Sequence, residues 1–86
     1  MSVTDDFAQA QADVKQLPTR PGNDVLLQLY ALYKQGSQGD ATGKRPGMFD
    51  LVGRAKFDAW SELAGTDQEA AQTRYIELVK KLQSED

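Results

Sequence analysis

Apolar positions along the chain recur at helical spacing, and they do so in four separate stretches. Val3, Phe7, Ala10, Val14 and Leu17 share one face of a segment from about Thr4 to Leu17, which Pro18 ends. Ser2 and Asp5 are placed for a capping box at its start. After the connector Thr19-Arg20-Pro21-Gly22, Asn23 reads as the N-cap of a second helix with Asp24 in its first turn. That helix is expected to continue to about Gln35. Val25, Leu26, Leu29, Tyr30, Leu32 and Tyr33 form one broad apolar arc, with Leu27 beside it and Lys34 at its edge.

The period then breaks. Five of the seven glycines fall between Gly36 and Gly53, and no helical or strand period survives from Gly36 to Gly47. A structureless stretch of about 12 residues in a small domain points to a functional loop. A third helix is expected from about Gly53 to Ala64, with Gly65 as its left-handed stop. Phe57, Trp60, Leu63 and Ala64 line one face, and Arg54, Asp58, Ser61 and Glu62 the other. Lys56 breaks this pattern by falling inside the apolar arc, between Trp60 and Leu63. A fourth helix opens on the capping box Thr66-Asp67-Gln68-Glu69 and runs to about Leu82, with Ala71, Tyr75, Leu78, Val79 and Leu82 as its stripe. No strand-like alternation or internal repeat appears. The class expected is all-α, a small bundle of four helices with a long loop between the second and third.

Composition narrows the chemistry. At 86 residues the chain is expected to form a single domain over 1–86 with one small core. It contains no Cys and no His, which excludes a disulfide framework, a thiol nucleophile and the commonest general base and metal ligand. The start Met1-Ser2-Val3-Thr4-Asp5-Asp6 lacks a basic, apolar leader, and no apolar run is long enough to span a bilayer. The expectation is a soluble cytoplasmic protein without stable membrane insertion. The net charge of −3 argues against a nucleic-acid partner. Its distribution is uneven. Between residues 34 and 56, Lys34, Lys44, Arg45, Arg54 and Lys56 face only Asp40 and Asp50, a net +3. The remaining five basic and eleven acidic residues give −6. The basic middle could present a local anion site.

Several arrangements of reactive side chains fail on inspection. Gly39-Asp40-Ala41-Thr42-Gly43-Lys44-Arg45 has some of a phosphate-binding P-loop. Its glycine spacing is one residue short, Arg45 stands where Ser or Thr is required, and Pro46-Gly47 follows where a helix should begin. The carboxylates scatter over polar faces, and a Ser-His-Asp triad is impossible without His. The Tyr and Lys residues are more informative. Tyr30 and Lys34 are four residues apart, so a phenol and an ammonium lie side by side with Tyr33 on an adjacent turn. Such a pair suits a planar base that carries a phosphate. Lys56 either snorkels to the surface or meets an anion, and Tyr75 reads by itself as a core residue.

These residues sit in longer motifs. Tyr30-Ala31-Leu32-Tyr33-Lys34-Gln35-Gly36-Ser37-Gln38-Gly39-Asp40, Arg45-Pro46-Gly47-Met48-Phe49-Asp50 and Gly53-Arg54-Ala55-Lys56-Phe57-Asp58-Ala59-Trp60 follow one another. Together they resemble the acyl-CoA-binding protein family, whose pattern there is Y-x-x-Y-K-Q-A-T-x-G-D, R-P-G-x-x-D and G-x-A-K-W-x-A-W. The resemblance extends over nearly the whole chain. It implies a four-helix fold that binds medium- and long-chain acyl-CoA without catalysis and without a cofactor. Matched positions imply that Tyr30, Lys34 and Lys56 hold the 3′-phosphate of CoA. Tyr33 and Tyr75 would pack around adenine and ribose, and Lys15 would add a basic contact to the head group. Pro21, Leu26 and Leu27 would line the acyl groove.

There are departures from the pattern. Phe57 replaces a Trp, Val52 replaces a frequent Lys, and Gly36-Ser37 replaces Ala-Thr, which should loosen the end of the second helix. The resemblance implies a carrier and pool former for fatty acyl-CoA. A monomer is expected, with transient contacts to acyl-CoA-using enzymes. At about 0.8 kcal/mol per buried CH₂, a long tail should give strong discrimination against free CoA. The alternative reading is a small helical protein-interaction module with no small-molecule ligand, which would have no need of the Gly-rich loop or the Tyr–Lys cluster.

Overall fold

The computed structural model describes residues 2–84. It contains four helices in chain order: α1 (Val3–Val14), α2 (Asn23–Gln38), α3 (Leu51–Ser61) and α4 (Gln68–Ser84). No strand occurs among the described residues. No helix among them is long and apolar enough to cross a membrane. α4 packs against both α1 and α2, and α2 packs in turn against α3. The order in space is therefore α1–α4–α2–α3. α3 joins the bundle through α2 alone, so one of its flanks stays open.

The core is the set the helical stripes anticipate. Phe7 and Ala10 from α1, Leu29 and Leu32 from α2, and Ala71, Tyr75 and Val79 from α4 form one buried cluster. Each large apolar side chain removed from water there contributes about 1.5–3 kcal/mol. Phe7 is central, with its ring edge-on to Tyr75 at 5.2 Å.

The helix ends differ from the sequence expectation, each for a local reason. α1 stops at Val14, three residues early. Lys15 N–H and Gln16 N–H donate to Ala12 and Asp13, tightening the chain into a turn before Pro18. Ser2 Oγ does accept from Asp5 N–H at 3.1 Å. Gly22, not Asn23, is the N-cap of α2, and no side chain caps that end. α3 starts at Leu51, two residues early, because Asp50 caps it by accepting from Gly53 N–H at 2.9 Å. It ends at Ser61, with a turn before Gly65, which takes a φ of +91°. The cap of α4 is Asp67, not Thr66, since Asp67 Oδ1 accepts from Ala70 N–H at 2.8 Å. Its last turn reaches Ser84, beyond Leu82.

The end of α2 is the most telling correction. The helix does not loosen at Gly36-Ser37 but continues through both to Gln38. Gly36 is buried where α2 crosses α4. A Cβ placed there would lie 2.9 Å from Gln72 Cγ and 3.2 Å from Phe7 Cζ. The same approach lets Gln72 Nε2 donate to the Gly36 carbonyl at 2.9 Å. Tertiary contact outweighs a propensity penalty of about 1 kcal/mol.

The long loop, observed over 39–50, is anchored at its start. Gln35 is fully buried, and its Nε2 donates to Asp40 Oδ1 at 2.8 Å and to the Thr66 carbonyl at 2.6 Å. Asp40 Oδ1 also accepts from Gly65 N–H at 3.0 Å. One side chain thus ties the loop after α2 to the turn after α3. The hydrogen bond from Gln35, then that from Gly65, holds the Asp40 carboxyl below its ordinary pKa. Gly39, at φ +83°, makes the sharp exit from the helix. Its carbonyl accepts from Trp60 Nε1 at 2.8 Å, fixing the loop to α3.

Candidate functional site

Two cations cross between α2 and α3 in opposite directions. Lys34 of α2 places its Nζ 4.9 Å from the centre of the Trp60 ring of α3. Lys56 of α3 places its Nζ 5.2 Å from the centre of the Tyr30 ring of α2. Both distances are within cation–π range. The helical spacing pairs Tyr30 with Lys34. The fold instead gives each of them a partner on the neighbouring helix.

The pairs differ in their surroundings. Trp60 is buried, and its ring packs edge-on to Phe57 at 6.3 Å. Lys34 is half-buried above it. Lys56 was expected within an apolar arc but is exposed. α3 has only α2 behind it, so the flank that carries Lys56 faces water, and the stem bends back over Tyr30. Both ammonium groups remain available to an anion. The aromatic faces beneath favour the positive charge without neutralising it.

Tyr33, 39% exposed, presents a ring at the surface. It packs at 6.3 Å on Phe7, whose other aromatic neighbour is Tyr75. Burial, and then the neighbouring Tyr33, pushes the Tyr75 phenol above its ordinary pKa, so it stays neutral. The three rings make a chain of tilted and edge-on contacts from surface to core. Lys15 stands apart. It is exposed at the C-cap of α1, and no hydrogen bond or ring contact among the described residues joins it to the cluster.

Beside the Lys56–Tyr30 pair lies an open groove of about 500 Å³ between the start of α2 and the start of α3. Leu26, Leu27, Leu51, Val52 and Ala55 form its apolar lining, and Arg20, Asn23 and Lys56 its polar edge. Leu26 and Leu27 both belong to this lining. Pro21 does not line this groove. It lies in an adjoining recess of about 330 Å³ with Leu17, Val25 and Leu82, and Arg20 borders both. Leu51, Val52 and Ala55 are lining residues that the sequence left unassigned. Their signal was weak, because the expected helix began only at Gly53 and placed Leu51 and Val52 in the loop. A second cavity of about 440 Å³ lies farther along the α2–α3 seam, over Ala31, Leu32, Ala59 and Leu63, and it shares Leu27 and Ala55 with the groove.

Arg45 and Asp58 fix the loop against α3. The guanidinium donates through Nε at 2.9 Å and Nη2 at 2.7 Å to the two carboxylate oxygens. This fork raises the Arg45 pKa and lowers that of Asp58. No cluster of three or more metal-ligating side chains occurs among the described residues. The site combines aromatic rings, two accessible ammonium groups and an apolar trough. A ligand that matches all three has a planar ring, an anionic group and an alkyl chain.

Known proteins share both sequence and fold. A family model described as acyl CoA binding protein matches residues 4–79. The acyl-CoA-binding protein homolog 1 of Caenorhabditis elegans is 54% identical over 76 residues, which cover 88% of each chain. Rattus norvegicus enoyl-CoA delta isomerase 2 is 48% identical over 79 residues, covering 92% of this chain but only 20% of that protein. The crystal structure of Oryza sativa acyl-CoA-binding protein 2 superposes with a TM-score of 0.90 at 40% identity, covering 94% of this chain and 90% of that one.

Proposed function

The chain belongs to the acyl-CoA-binding protein family, and from that premise we propose that it binds fatty acyl-CoA thioesters and serves as their carrier and pool former. The observation that carries this reading is the Lys56–Tyr30 pair at the edge of the Leu26–Leu27–Ala55 groove. It puts a cation and a ring beside apolar surface, as a nucleotide head joined to a fatty tail requires.

In this reading the 3′-phosphate sits between Lys34 and Lys56 with Tyr30 beside it. The exposed ring of Tyr33 packs on the adenine, backed from the core by Phe7 and Tyr75. Lys15 adds a contact at the outer edge of the head group. The tail lies over Leu26 and Leu27, with Pro21 at the far end. Burying the tail contributes up to about 0.8 kcal/mol per CH₂, before the cost of ordering it. Binding is the whole of the activity. The chain has no His or Cys to attack the thioester, and the ester leaves as it arrived. The rat isomerase match supports no enzymatic role here, since it covers only a fifth of that enzyme.

The reading extends to a single domain over residues 1–86, acting as a cytoplasmic monomer that passes acyl-CoA to the enzymes that use it. A helical protein-interaction module is not favoured, because it would need neither the crossed cations nor the groove. Calorimetric titration with palmitoyl-CoA, CoA and palmitate tests the proposal. Tight binding is expected for palmitoyl-CoA, with much weaker binding of each part. Absence of heat with palmitoyl-CoA would overturn it.

A further inference from the structure

α3 and α4 do not pack against each other, yet both line the cavity of about 440 Å³ on the α2–α3 seam. The cavity is therefore a valley, with α2 as its floor and α3 and α4 as its walls. Leu27, Ala31 and Leu32 belong to the floor, and Ala55, Ala59 and Leu63 to the α3 wall. Tyr30, Lys34 and Lys56 do not line it. Its apolar surface is left open because α3 has one neighbour where α4 has two. The short side chains of Ala31, Ala55 and Ala59 make it a depression and not a ridge.

The rim of the valley is acidic. Asp24, Asp58 and Glu62 border it, against Arg74 of α4. Arg74 also borders a shallow recess that adds Asp67 and Glu69. Asp58 is already joined to Arg45, and Asp67 caps α4. Asp24, Glu62 and Glu69 have no side-chain hydrogen bond or ion pair among the described residues. Screening over about 8 Å at physiological salt lets this local excess of carboxylates govern what the valley meets. What fills it must bring apolar groups and positive charge together.

We propose that the valley between α3 and α4 docks a basic amphipathic helix of a protein partner. Helices approach to about 8–10 Å between axes, closest where the side chains at the crossing are small. Ala31, Ala55 and Ala59 meet that condition. Apolar anchors one turn apart on the incoming helix enter the depression, and Lys or Arg beside them meets Asp24 and Glu62. An extended segment finds no sheet edge to pair with among the described residues. A small ligand would keep one side in water, because the valley is open along its top. Docking here needs nothing from the proposed head-group site and leaves it clear. A partner can therefore hold the protein while the ligand enters or leaves.

The test is NMR titration of the isotopically labelled full chain with a helical peptide of about 18 residues, long enough to hold a helix. The peptide carries a Leu stripe with Lys on both flanks, and its control carries Glu there. The Lys-flanked peptide is expected to shift the amide signals of Ala31, Ala59 and Leu63. It should bind about tenfold or more tighter than the control. Glu62→Lys should weaken it by about fivefold or more, and a cation there suits the C-terminus of α3. Ala59→Trp fills the valley and should weaken it by about tenfold or more. Neither residue is part of the proposed ligand site, so palmitoyl-CoA titration should be unchanged in both. That titration separates failure of docking from failure of the ligand reading. Should Ala59→Trp lose its circular dichroism, Glu62→Lys decides. The proposal is overturned by a Lys-flanked peptide that leaves these signals in place, or that binds Glu62→Lys as tightly as wild type. It is also overturned if Ala59→Trp folds and changes palmitoyl-CoA binding, which assigns the valley to the tail. Shifts of the same signals with protein concentration alone would assign it to a second copy and overturn it too.

Discussion

Lys56 Nζ lies 5.2 Å from the centre of the Tyr30 ring, and this contact joins α3 to α2 beside the groove. It is one half of a reciprocal exchange, since Lys34 of α2 lies over Trp60 of α3. Each lysine thus rests on the helix opposite its own, and the two charges flank the seam between α2 and α3. In the proposed reading, the ring beneath each ammonium holds it near where the ligand's phosphate binds. Preorganisation of this kind lowers the ordering cost of binding.

Lys56→Ala should weaken palmitoyl-CoA binding by about 1.5–3 kcal/mol, roughly ten- to a hundredfold in Kd. Thermal stability should change little, because Lys56 is exposed. Calorimetry and a melting curve on the same variant check both halves. An unaltered Kd would remove Lys56 from the site.

Ala55→Phe should fill the trough at the point that the groove shares with the second cavity. In the wild type, affinity should rise with chain length by at most about 0.8 kcal/mol per methylene. In the variant that rise should flatten, while binding of CoA itself stays the same. A series of acyl-CoA esters of increasing length gives the two slopes directly.

Gly36→Ala sets two effects against each other. The helix gains about 1 kcal/mol of propensity. The new methyl, however, meets Gln72 Cγ at 2.9 Å and Phe7 Cζ at 3.2 Å. Overpacking costs about 1–3 kcal/mol, and Phe7 is locked in the core, so the net effect should be destabilising by up to about 2 kcal/mol. Urea denaturation should show a lower midpoint with an unchanged slope. A raised midpoint would mean that Gln72 moves aside without cost.

Stability should fall in acid partly through Asp40 and Asp58. Both have folded pKa values below the ordinary 3.8. The unfolded chain therefore takes up protons first, and folding loses stability as pH drops past that value toward the lowered ones. The contribution is fully present above the ordinary carboxylate range. Asp40→Asn with Asp58→Asn should give a shallower decline in that window, measured by denaturation at a series of pH values. A decline as steep as the wild type's would assign the acid sensitivity to other carboxylates.

Much of the architecture was legible because four stripes at helical spacing allow few other arrangements. Phe7, Leu29, Tyr75 and Val79 were marked as inward by period alone, and they are buried. The exact helix ends were not legible. Gly36 reads as a helix breaker until Gln72 and Phe7 are known to crowd it. Asp50 reads as a loop residue until its carboxylate is seen capping Gly53 N–H.

For the site, the residue types came from the sequence and their pairing came from the fold. Periodicity within one helix can place Tyr30 beside Lys34, because both lie on the same turns. It has no means of placing Lys34 over Trp60, 26 positions away in the chain. Nor could it reveal that Gln35 joins two loops through Asp40 and Thr66, or that Phe49 projects into water. The hydrophobic pattern determined four helices and their inward faces, since burial of apolar surface is a local property of spacing. Which cation meets which ring, and which apolar groups remain uncovered, depended on how α3 leans on α2, and only the packed chain decides that.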